Sequence, residues 1–266
     1  MGRIVIIGSS NTDMVVKSRK IPSPGETILG GTFLMNPGGK GANQAVAAAR
    51  LEGNVTFVTK TGNDLFGEQA RHIFEFEKID SRFMVKDPRN PSGIALIMVD
   101  QEGENCIAVA PGANGTLSAY DVADEVYGKD PSDVFLMQLE IPVSTVEFIA
   151  QKVSQKGNRV ILNPAPAKQL SDDLLACLFA ITPNENEAEI LTGVKVSDSE
   201  SASVAAEKLF GKGIRNVIIT LGGSGAWLKN EKISKQIPVT PVRAVDTTAA
   251  GDVFNGALAV AVSEGM

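Results

Sequence analysis

The sequence predicts an α/β fold: a three-layer sandwich around a mostly parallel sheet, with a small strand-only appendage. Three observations carry that prediction. Short, continuous apolar runs bounded by turn residues recur along the chain, and helical patterns separate most of them. Two further segments break the alternation with extended pieces that follow one another directly. Continuous apolar runs suit strands buried on both faces of a parallel sheet, and strand–helix alternation builds such a sheet.

In chain order, the apolar runs are 3–8, 55–60, 134–139, 159–163, 180–182 and 217–221. Helical periodicity covers 42–51, 66–77, 143–155, 186–191 and 202–210. Residues 225–229 and 234–239 read as a strand pair around a charged turn. The run 237–245 reads as extended and leads into a helix over 253–260. The helix-free segments are 14–17 with 27–34, and 92–99 with 105–109; the second pair flanks the turn Asp100-Gln101-Glu102-Gly103-Glu104. They suit either a lid or an antiparallel extension of the main sheet. Nothing divides the chain by linker, repeat or low complexity, so residues 1–266 read as one domain, with lid segments at about 14–36 and 91–109.

Composition narrows the function classes. A net charge of −6 argues against nucleic-acid or membrane-surface partners, but leaves room for a small anion at one local site. The apolar runs are too short to span a bilayer. The chain opens on a strand-like run without signal architecture, so the expected location is cytoplasmic. Cys106 and Cys177 read as buried free thiols of a reducing compartment. His72, the only histidine, sits among polar neighbours and reads as surface; no zinc-type ligand set or histidine-dependent triad is available. Trp227 reads as sheet packing.

Several motifs come directly after strands, where ligand sites of open α/β sheets collect. Asp246-Thr247-Thr248-Ala249-Ala250-Gly251-Asp252 puts small residues and a carboxylate at a helix start. Taken alone, it reads first as an Asp placed for dipole and capping reasons. It also reads as an anion cradle with a base beside a transferring phosphoryl group. Asn11 and Asp13, two apart after the first strand, can bind vicinal hydroxyls or simply make a turn. Pro37-Gly38-Gly39-Lys40-Gly41-Ala42-Asn43-Gln44 opens a helix but is no P-loop, because Gly41 stands where Ser or Thr would hold magnesium. Gln138-Leu139-Glu140 and Asn163-Pro164-Ala165-Pro166-Ala167 end strands. Asn184 and Glu187, three apart, share a face that suits hydrated magnesium or an ordinary helix cap. Thr220-Leu221-Gly222-Gly223-Ser224-Gly225 is a glycine-rich turn that can pass under a nucleotide.

Together these motifs resemble the ribokinase-like, phosphofructokinase-B-type family of carbohydrate kinases, over the chain from Ile4 to Met266. Both family signatures are matched, by Gly38 to Ala45 and by Asp246 to Asp252. The resemblance implies ATP-dependent phosphorylation of ribose at its 5-hydroxyl, with a related sugar kinase (deoxyribose or another pentose) or a sugar- and nucleotide-binding protein without activity as alternatives. It implies Asp252 as base, with Ala249, Ala250 and Gly251 as the anion hole. Ribose hydroxyls would meet Asn11, Asp13, Gly39, Lys40, Asn43 and Glu140. Asn184, Thr220, Gly222 and Gly225 would line the nucleotide. Glu187 would act on magnesium through water, and Asp246 and Thr248 would help hold potassium. The implied partners are ribose, ATP and a second copy joined through the lid. Family members continue beyond the position of Met266 with helices that cover the adenine side and complete the potassium site.

Overall fold

The computed structural model describes residues 2–128, 130–244 and 246–266. In chain order the strands are β1 (Ile4–Ile7), β2 (Asn11–Lys17), β3 (Thr32–Gly38), β4 (Val55–Gly62), β5 (Met84–Asp87), β6 (Gly93–Val99), β7 (Asn105–Ala110), β8 (Val134–Met137), β9 (Arg159–Leu162), β10 (Ala180–Ile181), β11 (Asn216–Thr220), β12 (Ala226–Asn230) and β13 (Ser234–Ile237). The helices are α1 (Lys40–Arg50), α2 (Leu65–Phe76), α3 (Val143–Ser154), α4 (Asp172–Ala176), α5 (Glu185–Thr192), α6 (Ser199–Phe210) and α7 (Ala250–Ser263).

Nine strands form the central sheet in the order β13-β12-β11-β10-β9-β8-β1-β4-β5. From β11 to β5 every pairing is parallel, while β12 and β13 continue the edge antiparallel. The alternation of side chains along β1 shows how the layers arise. Ile4 and Ile6 join a cluster with Ala42, Ala45 and Ala48 of α1 and Ala259 and Val260 of α7. Val5 and Ile7 face the other way, into a cluster with Val146, Ile149 and Val153 of α3 and with α6. This is the expected three-layer α/β sandwich.

Small residues set the spacing of α1 and α7. A Cβ on Gly256 would lie 2.7 Å from the Ala47 methyl and 2.8 Å from the Gln44 carbonyl oxygen. Only glycine lets α7 lie this close to α1, and Asp252 stands one turn before it, facing the start of α1.

The lid segments form a separate four-stranded sheet, order β3-β2-β6-β7, rather than an extension of the main one. Its strands run further than expected: β2 begins at Asn11 and β3 reaches Gly38, so both ligand motifs are built into the lid's base. Residues 27–31, expected to be extended, make no strand, because β2 ends at Lys17 opposite Thr32 and leaves them no partner. The hairpin turn is as expected, with Asp100 Oδ1 accepting from the amides of Glu102 and Glu104.

Other expectations need correction. The extended run 237–245 ends as a strand at Ile237; Val245 lies outside the described residues. Pro238 and Pro241 carry no N–H to continue a ladder, and β13 is already the sheet edge. Cys106 is exposed and Cys177 half-buried, not buried as expected, because β7 is a lid edge strand with no layer over it. The short strand β5 and helix α4 are not anticipated from the sequence. His72 is exposed, as expected. Among the described residues no helix is long and apolar enough to cross a membrane.

Candidate active site

The motif residues gather at the carboxyl edge of the parallel strands. Gly39 caps α1 at φ 90°, a conformation that favours glycine, and a Cβ there would sit 2.7 Å from the amide nitrogen of Asn11. That turn lays the start of α1 against the loop after β1. The Glu140 carboxylate sits at this helix start: its Oε2 accepts from the backbone N–H of Lys40 at 2.9 Å and from the Ser9 hydroxyl. Asn11 is buried, and its Oδ1 accepts from Asn114 Nδ2 at 2.8 Å. Half-buried Asp13 stands near Glu140; burial, with the neighbouring negative charge adding to it, raises its carboxyl above the usual range. Two carboxylates kept close together and partly out of water are a costly arrangement that a polyhydroxyl ligand would relieve.

Asp252 lies in the first turn of α7 and is only 6 % exposed. Its Oδ2 accepts from Asn43 Nδ2 and its Oδ1 from Gln44 Nε2, each at 3.0 Å. Before it, Ala249 caps the helix in the left-handed region, at φ 58° and ψ 14°. For a residue with a Cβ this costs about 1 kcal/mol or more, and such strain tends to gather at functional sites. The bend sets the start of α7, with its positive dipole end, where the Ala250 N–H donates to the Thr247 carbonyl at 3.2 Å. A Cβ on Gly251 would meet nothing within 4 Å, so this part of the helix start is open.

Across from Asp252, Asn184 caps α5 in a reciprocal box: Glu187 N donates to Asn184 Oδ1 at 2.8 Å, and Asn184 N donates to Glu187 Oε2 at 2.9 Å. The ordinary cap reading of this pair is therefore correct as far as it goes. Burial raises the Glu187 carboxyl above its usual range; the Asn184 amide and Lys40 oppose this, while the negative charge of Asp252 adds to it. Glu187 thus lies within the fields of both Lys40 and Asp252, which joins the two halves of the cleft. Thr220 bridges to Asn184, its N–H donating to the Pro183 carbonyl at 2.9 Å. Gly222 and Gly225 bound the turn after β11.

Asp246 and Thr248 stand apart from this group on an exposed turn. The Thr248 side chain and backbone N–H both hydrogen-bond Asp246 and hold its carboxyl below the usual range. The structure therefore brings together Asn11, Asp13, Gly39, Lys40, Asn43 and Glu140 on one side and Asn184, Glu187, Thr220, Gly222 and Gly225 on the other, with Asp252 between. A cavity of about 300 Å³ bordered by Asn11, Met35, Gly38 and Phe74 lies between the lid base and α2 and holds none of Asp13, Lys40, Glu140 or Asp252.

Sequence reasoning missed Gln44, Ser9 and Asn114 as site residues. Gln44 stands inside a quoted motif and Ser9 two residues before Asn11, but adjacent helix residues point about 100° apart, so nothing along α1 says that Asn43 and Gln44 converge on one carboxylate. Asn114 sits in a short 3₁₀ turn and carries no sequence signal.

The family model for pfkB carbohydrate kinases matches residues 1–266. The chain is 45 % identical over 261 residues to the ribokinase of Haemophilus influenzae, covering 98 % of this chain and 85 % of that one. It is 37 % identical over 258 residues to a deoxyribokinase of Salmonella typhi, covering 96 % and 84 %. Its fold superposes on the Arabidopsis thaliana ribokinase complexed with ribose and ATP with a TM-score of 0.92 at 32 % identity, covering 100 % of this chain and 87 % of that one. The chain belongs to the pfkB family of carbohydrate kinases.

Proposed function

We propose that the chain phosphorylates D-ribose at the 5-hydroxyl with ATP, giving ribose 5-phosphate and ADP. The observation that carries this reading is Asp252: a carboxylate held by two amide donors at a helix start, between a hydroxyl-binding loop and a second strand-end group. Asn11, Asp13, Gly39, Lys40, Asn43 and Glu140 bind the sugar, and Asp252 takes the proton from its primary hydroxyl. The start of α7, at Ala249, Ala250 and Gly251, receives the charge of the transferring phosphoryl group. Phosphoryl transfer needs mainly positioning and charge stabilisation, which suits a site made of helix starts and amides. Asn184, Thr220, Gly222 and Gly225 line the nucleotide. An ATP-consuming reaction of this kind belongs with the cytoplasmic ATP pool.

Two ions belong to the same reading. Glu187, partly desolvated between Lys40 and Asp252, fits magnesium held through water. That ion neutralises charge on the phosphates of ATP. The Asp246 carboxylate and the Thr248 carbonyl are hard oxygen donors and fit potassium. Among the described residues no three acidic, histidine or cysteine side chains cluster as a metal cage, which agrees with ions held largely by water and substrate.

A second copy of the chain completes the lid. Residues opposite one another on adjacent strands share a face, and both faces of this sheet carry apolar rows: Leu34, Val15, Ile97 and Ile107 on one, Met35, Met14 and Leu96 on the other. Leu34, Met35, Leu96 and Ile107 are all exposed. Exposed apolar patches of this kind mark association surfaces.

The deoxyribokinase relative supports a second reading, with deoxyribose as substrate. A coupled ADP-release assay on ribose, deoxyribose and fructose, with and without potassium, separates the two. Ribose is expected to give the highest kcat/KM, potassium to raise it, and magnesium removal to abolish it. Turnover on fructose but on neither pentose would overturn the reading.

A further inference from the structure

Gln44 plays no part in the chemistry above, yet it is fully buried against the base. Its Nε2 donates to Asp252 Oδ1 and to Asn163 Oδ1, both at 3.0 Å, and its Oε1 accepts from Gln138 Nε2 at 2.6 Å. Charge dictates the direction of this chain. A carboxylate acting as a base only accepts, so Gln44 turns its amide N–H₂ toward Asp252. Its carbonyl then faces Gln138, which is left to donate. The Gln138 carbonyl has no hydrogen-bond partner among the described residues and faces Gly8, where a Cβ would come within 2.0 Å of it.

The network continues beneath the site. Asn163 Nδ2 donates to the Thr182 carbonyl at 3.3 Å, the Thr182 hydroxyl to Asn255 Oδ1 at 2.6 Å, and Asn255 Nδ2 to the Gly251 carbonyl at 2.8 Å. One branch therefore ends on Asp252 and the other on the backbone of the phosphoryl cradle. These polar groups are buried beside an alanine- and isoleucine-rich layer where apolar side chains would cost less. Such networks are worth their cost when they specify one geometry.

We propose that Gln44 is a positioning residue for Asp252, and that Gln138 is the lock that decides which end of the Gln44 amide the base meets. The proposal rests on the reading of Asp252 as the base. Gln44 touches neither substrate in this scheme, so its removal acts on kcat and spares binding.

The test is steady-state kinetics of Gln44→Met, Gln138→Met, the double variant and Asp252→Asn, with ribose affinity measured separately by calorimetry. Methionine keeps the volume and removes both the donor and the acceptor. Gln44→Met is expected to lower kcat by roughly 10- to 100-fold, the range for a misplaced catalytic group, with ribose and ATP KM and ribose affinity held within about 3-fold. Gln138→Met is expected to lower kcat less, and the double variant to match Gln44→Met alone, because Gln138 acts only through Gln44. Residues that merely fill the core would instead give additive losses, with KM and kcat moving together, and that pattern overturns the proposal. If Gln44→Met does not fold, Gln138→Met decides: a lower kcat at unchanged KM supports the lock, and wild-type kcat overturns it. Turnover surviving in Asp252→Asn would defeat the base reading itself. An inactive Asp252→Asn beside a Gln44→Met with wild-type kcat would defeat only the positioning proposal.

Discussion

The sandwich and the lid are built from similar apolar strands yet meet water in opposite ways. Every residue of β1 is buried, with helices on both sides, whereas every residue of β7 is exposed. The difference lies in how each strand is connected to the next. A parallel strand needs a crossover to reach its neighbour, and in this chain the crossovers carry the helices that cover the sheet. A hairpin returns at once and brings no cover. The consequence reaches the site. Asp252, Asn43 and Gln44 are held by α1 and α7 on the sandwich, while Asn11 and Asp13 belong to β2, the inner strand of an uncovered sheet. The proposed base is preorganised by packing, and part of the proposed sugar pocket depends on the lid's position.

That contrast can be broken at its strongest point first. Asp252→Asn keeps the size and shape of the side chain, replaces one of its two acceptor oxygens with a donor and removes the base; kcat is expected to fall by about two to four powers of ten, and near-wild-type turnover in a single-turnover assay would refute the assignment. The sandwich's hold on the base is tested next. Gly256→Ala places a methyl against Ala47 and the Gln44 carbonyl, which should cost roughly 1–3 kcal/mol of stability and lower kcat by up to about 100-fold through displacement of α7. A stable, fully active Gly256→Ala would mean that the close packing of α1 and α7 does not set the geometry.

On the lid side, Asp13→Asn should raise the ribose KM by about 10-fold or more, through an imperfectly paired hydroxyl, with ATP KM little changed. It should also raise Tm slightly near neutral pH. The sign comes from the raised carboxyl of Asp13. A group with a raised folded-state pKa stabilises the fold when protonated, below the usual carboxylate range, and that contribution is lost as pH rises through the folded-state value. The gain in Asp13→Asn should therefore vanish in acid; a melting-temperature difference that persists at low pH contradicts it. The smallest effect on chemistry is expected from Ile107→Asp, which charges an exposed lid row. If the lid pairs two copies as proposed, sedimentation should show a dimer for the parent chain and a monomer for Ile107→Asp, with ribose KM raised a few-fold at low enzyme concentration. A parent chain that is monomeric at all concentrations would remove the second copy from the picture.

Much of this was legible along the chain, and the gaps have definite causes. The continuous runs, the strand–helix alternation and the separate hairpin were visible because they are local periodicities. Lys40, Glu140 and Asp252 were visible because each stands in a motif at a strand or helix end. The exposure of Cys106 was not, since burial depends on whether another layer covers the strand. Residues 238–244 failed as a strand because Pro238 and Pro241 interrupt the ladder at an edge, a signal that was present and outweighed by the apolar residues around it.

The sequence by itself determined the layered α/β class, the signatures at both ends of the chain, and the presence of a carboxylate at the start of the last helix. Tertiary structure alone decided what that carboxylate meets. Asn43 and Gln44 lie more than two hundred residues away in sequence, and they reach Asp252 only because Gly256 lets two helices pack almost backbone to backbone. Local pattern specifies elements through propensity and period. Which side chains then share a hydrogen bond is set by the spacing and angle of packed helices, which no single stretch of sequence records.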